Sequence, residues 1–147
     1  MNFTRPTPQL NNMASFTYTA WTNGSATSLL EKLKHLLNQR DFSLENPQSG
    51  MCHVWNEHAE CFKVDVNSLQ IILDEKLPIG IQWWRGNEDI FVTLATNKSV
   101  GGTNCIVRLV GITREEEAEI AKLMVLHIVP EKKFFPDDFP VFHLDAR

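Results

Sequence analysis

Over residues 15–21 the chain alternates Phe16, Tyr18 and Ala20 with Ser15, Thr17 and Thr19, the period-two rhythm of a strand with one buried face. Asn23-Gly24 ends that rhythm. Ser28 and Glu31 then form a capping box, which predicts a helix start by satisfying two orphan amide donors. Leu29, Leu30, Leu33, Leu36 and Leu37 fall on one helical stripe, while Glu31, Lys32, Lys34, His35 and Asn38 fall opposite.

After a loop over 43–50, short segments at 51–55, 61–66, 69–74, 79–85, 89–95 and 105–110 read as strands. Their connections are too short for crossover helices, so the sheet is expected to be mostly antiparallel. A second capping box, Thr113 with Glu116, opens a final helix whose shared face holds Ile120, Leu123, Met124, His127 and Ile128. Residues 125–129 are apolar almost all round and read as buried, or as extended chain. The stretch 131–147 sets Pro136 and Pro140 among Phe134, Phe135, Phe139, Val141, Phe142 and Leu144, and is expected to be irregular and to pack on its own domain.

Residues 1–14, with Pro6, Pro8, Asn11 and Asn12, read as a flexible arm, which leaves 15–147 as one domain. The expected fold class is α+β, with an antiparallel sheet of about five to seven strands packed on one face by two helices. Its order would be strand, helix, strands, helix. That order is similar, as a fold alone, to small secretion chaperones and to kinase-associated domains, and it carries no residue or function across.

Composition narrows the function classes. A chain of 147 residues with 43% hydrophobic and 22% charged residues has ordinary globular usage. No apolar run approaches the roughly 18 residues that span a bilayer, so membrane insertion is not expected. A net charge of −4 disfavours nucleic acid and anionic lipid as partners, because both are gripped by clustered Lys and Arg. Three cysteines and no apolar leader at the start point to free thiols and a cytoplasmic location.

Candidate chemistry is sparse. Cys52, His53, His58 and Cys61 are zinc-type ligands, yet Cys52 and His53 are neighbours on one strand and point to opposite faces. The same thiols and imidazoles offer a nucleophile and base for cysteine catalysis, but no local motif singles one out. Val100-Gly101-Gly102 lacks the lysine and following helix of a phosphate loop. Asp137-Asp138 reads as solvated tail, and His127, on an apolar helix face, as a hydrogen-bonded core histidine. No cofactor and no metal are expected.

The segment from Ile79 to Leu94 is more informative. If Gly86-Asn87 is a two-residue hairpin turn, Arg85 faces Glu88, Trp83 pairs with Ile90, and Ile81 pairs with Val92. Ile79, Ile81, Trp83, Ile90, Val92 and Leu94 then share the core face, and Gln82, Trp84, Phe91 and Thr93 share the other. Those four are the candidate partner-binding residues, since tryptophan is enriched at binding hot spots. The expected function is a non-enzymatic protein-binding module, such as an inhibitor, immunity-type protein, adaptor or dedicated chaperone, offering a sheet face or an edge strand. The alternative is a small-molecule or lipid-binding domain with an apolar cavity between sheet and C-terminal helix; the third is a cysteine- or zinc-dependent enzyme.

Overall fold

The first strand, β1 (Phe16–Thr22), turns Phe16, Tyr18 and Ala20 inward as its alternation requires. The computed structural model describes residues 16–146, so the arm expected at 1–14 lies outside them. Helix α1 (Ala26–Asn38) starts earlier than expected. Its cap is Ser25, whose extended backbone lets the hydroxyl accept from the Ser28 amide. All five leucines of the stripe are buried.

A hairpin follows, β2 (Cys52–Trp55) and β3 (Cys61–Val64), closed by the turn at 56–60. The segment at 69–74 is not a strand. It belongs to a helix, α2 (Val66–Glu75), because the Asp65 carboxylate caps the Ser68 amide at 2.7 Å and commits the chain to helical turns. Leu69 and Leu73 then meet the core one turn apart.

The hairpin of β4 (Ile79–Arg85) and β5 (Glu88–Thr96) has the expected register, with Arg85 opposite Glu88 and Trp83 opposite Ile90. Gly86 supplies the positive φ, 58°, that the turn needs at its first position. Strand β6 (Thr103–Leu109) leads to helix α3 (Arg114–His127), where Thr113 caps the Glu116 amide. The end of α3 is less buried than its composition suggested: Ile120, Met124 and Ile128 are buried, but Val125, Leu126 and His127 face outward. The tail is also more regular. After a short 3-10 turn (Lys132–Phe134) it returns as β7 (Phe142–Ala146), paired with β1.

Among the described residues the fold is therefore α+β with seven antiparallel strands, in the order β3-β2-β4-β5-β6-β1-β7, and three α-helices. The expected count of two helices, and the order strand, helix, strands, helix, fail for two reasons. The helix α2 interrupts the strands, and β7 follows the last helix. All three helices lie on one face, with α1 over β5 at the centre, α2 over β2, and α3 over β1. Ile79, Ile81, Trp83, Ile90, Val92, Leu94, Cys105 and Val107 fill that face against the leucines of α1.

Candidate functional site

The register places Gln82, Trp84, Phe91 and Thr93 together on the face of the sheet away from the helices. Their environments differ. Gln82, Phe91 and Thr93 are buried, and Trp84 alone of the four is half-buried. The Phe91 ring lies across the neighbouring strand over Gly80, where any Cβ would collide with its tip. Gln82 is a link in a chain of hydrogen bonds: Trp55 Nε1 donates to its Oε1 at 2.8 Å, and its Nε2 donates to Asp89 at 2.9 Å. Trp84 meets the His53 ring edge to face at 5.0 Å, and among the described residues its indole N–H has no acceptor.

The histidines and cysteines do not converge. Cys52 points into the core, whereas His53 and Cys61 stand on the outer face and His58 sits in the turn beside Glu57. Among the described residues no group of three or more His, Cys, Asp or Glu side chains is placed to hold a metal ion. Burial, with Glu45 and Asp65 nearby, pushes the Cys52 thiol up to about 11; burial also raises Cys61 and Cys105. All three are thus held as thiols near neutral pH. Burial, with Lys63 nearby, lowers the His53 pKa and keeps that ring neutral.

A half-buried ion cluster ties α3 to the sheet. Arg85 Nη1 donates to Glu116 at 2.6 Å, Arg40 donates to the same carboxylate at 3.2 Å, and Arg85 Nη2 reaches Glu88 at 3.1 Å. Every charge in it is paired within the chain. This is a structural brace.

A concave apolar surface lies elsewhere, between β3 and α2. A groove of about 210 Å³ is lined by Val54, Phe62, Val64, Ile72 and Ile79, with Asn56 and Lys76 at its rim. Phe62 is 48% exposed, and Ile71 on the adjoining face of α2 is 59% exposed. Beside the groove, β3 is an edge of the sheet. The Asn56 amide bonds to the Glu60 carbonyl and so sets the phase of the β2–β3 ladder. In that phase Phe62 and Val64 bond inward to β2, while Cys61 and Lys63 turn their backbone N–H and C=O groups outward.

The sequence expectation included an edge strand as a docking element without locating it. The sequence pattern conceals the groove because residues 69–74 fit an extended segment as well as a helix. The signal that marks it is the helical spacing of Leu69, Ile72 and Leu73 behind Asp65. No helix among the described residues is long and apolar enough to cross a membrane. Compared with protein-family models, with curated proteins and with solved structures, the chain matches none of them.

Proposed function

We propose that the protein is a non-enzymatic protein-binding module that takes up an extended segment of a partner along β3, with an apolar side chain of that segment seated in the groove. One observation carries this: a half-exposed Phe62 and an apolar groove stand directly beside outward-turned amides on an edge strand. Strand addition needs those two features, since main-chain hydrogen bonds supply affinity and a pocket for alternate side chains supplies specificity. Lys63 on the strand and Lys76 at the rim favour acidic residues between the apolar ones.

A displayed library of random peptides panned on the protein tests this. Peptides alternating apolar and acidic residues should be enriched, and Phe62→Asp should weaken them at least about a hundredfold, the scale of a hot-spot loss. Failure to enrich any such pattern, or binding indifferent to Phe62→Asp, would refute it.

A second contact surface is supported by the half-buried Trp84 on the outer sheet face, flanked by Gln82, Phe91 and Thr93. Here Trp84→Glu, rather than Phe62→Asp, should abolish capture while the fold is kept. Small-molecule binding in the β3 groove is less favoured, because about 210 Å³ falls below the roughly 300–1,000 Å³ of ordinary ligand pockets. Catalysis by cysteine is disfavoured by the raised thiols.

A further inference from the structure

At the opposite end of the sheet a second cavity, of about 300 Å³, is lined by Phe16, Tyr18, Arg114, Glu117 and Ala118. Phe16 and Tyr18 are alternate residues on the helix side of β1, and their rings stack at 6.4 Å and 11°. Phe142 of β7 extends the row, 6.0 Å from Tyr18. The helix contributes the charges.

Arg114 and Glu117 stand one turn apart on α3, a spacing at which opposite charges ordinarily close on each other. These two do not. The ion pairs of α3 run from Glu116 to Arg40 and Arg85, while Arg114 turns its guanidinium toward the Phe16 ring, 6.0 Å from its centre. Glu117 is only 7% exposed, and among the described residues its carboxylate receives no hydrogen bond. The carboxylate oxygens are not sealed in the protein but open to solvent at the cavity. Burial raises its pKa, and only the nearby Arg114 opposes the shift.

A cavity whose acid and base form no salt bridge with each other or, among the described residues, with any other side chain, and which has an aromatic wall, is complementary to a molecule bearing both charges and an apolar group. We propose that it binds a free apolar α-amino acid, with Glu117 on the ammonium, Arg114 on the carboxylate and the Phe16–Tyr18 wall on the side chain. A peptide terminus offers one of the two charges, and a simple ion leaves the aromatic wall unused.

The test is a titration of the full chain with L-leucine, followed through the backbone amide signals of Tyr18, Glu117 and Ala118. Two analogues, leucinamide and 4-methylpentanoate, each lack one of the charges. Saturable shifts are expected with a dissociation constant of about 1 mM or tighter, and each analogue should bind at least about tenfold more weakly. Glu117→Gln and Arg114→Gln should each lose about tenfold in leucine affinity. Absence of a saturable shift at about 10 mM leucine overturns the proposal, as does equal binding of leucine and either analogue. Where Glu117→Gln fails to fold, the analogue comparison on the unaltered chain decides.

Discussion

The two ends of the sheet are built alike, each an edge strand with a helix packed over the strand beside it, yet they present different chemistry. At the β3 end, α2 contributes Ile72 and the groove wall is hydrocarbon with a lysine at the rim. At the β7 end, α3 brings Arg114 and a buried Glu117 to an aromatic wall. The difference comes from the first turns of the two helices. The helix α2 has no acidic residue in its first turn and is capped by Asp65, whereas α3 opens with Glu115, Glu116 and Glu117 near the positive end of its dipole. Among the described residues only the Glu116 carboxylate is neutralised by arginines, and its neighbour Glu117 is left facing a cavity.

The largest expected effect breaks the comparison at its packed base. Ile79→Ala, at the fully packed floor of the β3 groove, should cost about 3 kcal/mol in denaturant unfolding. Phe142→Ala at the other end, where the ring is only partly buried, should cost clearly less. Equal costs would mean that the two ends are packed alike. Next, Asp65→Ala removes the cap of α2 and should cost about 1 kcal/mol, because the Ser68 amide loses its acceptor. That variant should also weaken peptide capture, whereas removing the α3 cap with Thr113→Ala should leave capture unchanged.

Acid titration sharpens the contrast within α3. For Glu116, burial alone would raise the carboxyl, but hydrogen bonds from Arg85 and Arg40 outweigh it and hold the pKa below its ordinary 4.5. Its stabilisation is therefore complete above the ordinary value and is lost as pH falls through the lowered one. Glu117 is raised, so its effect has the opposite sign: its favourable contribution is present below 4.5 and is lost as pH rises through the raised value. Unfolding midpoints measured from about pH 3 to pH 7 should show Glu116→Gln flattening the acid limb and Glu117→Gln flattening the neutral one. The same slope in both variants would remove the distinction. The smallest effect is expected at the exposed Leu144, where Leu144→Ser should stay within about 0.5 kcal/mol.

Where local chemistry fixes geometry, the sequence was legible. Gly86-Asn87 specifies a turn, the turn specifies the β4–β5 register, and the register sorts Trp83 inward and Trp84 outward. The α1 stripe was equally clear because five leucines share one helical face. The segment after β3 was ambiguous, since Leu69, Gln70, Ile71, Ile72 and Leu73 satisfy an extended pattern as well as a helical one. The Asp65 cap decides between them. The tail misled for a different reason: Pro136 and Pro140 mark irregular chain, but they lie before the alternation of Phe142 and Leu144 that pairs with β1. Burial of Gln82, Phe91 and Thr93 on the outer face follows from three-dimensional neighbours such as Gly80, which no alternation rule reveals.

The most direct test of the β3 proposal is amide hydrogen exchange at Cys61 and Lys63 with and without a peptide recovered by panning. Strand addition predicts that both outward amides become protected at least about tenfold while amides in β7 are unchanged. Unaltered exchange at Cys61 and Lys63 at saturating peptide, with protection at Trp84 and its neighbours instead, would contradict it.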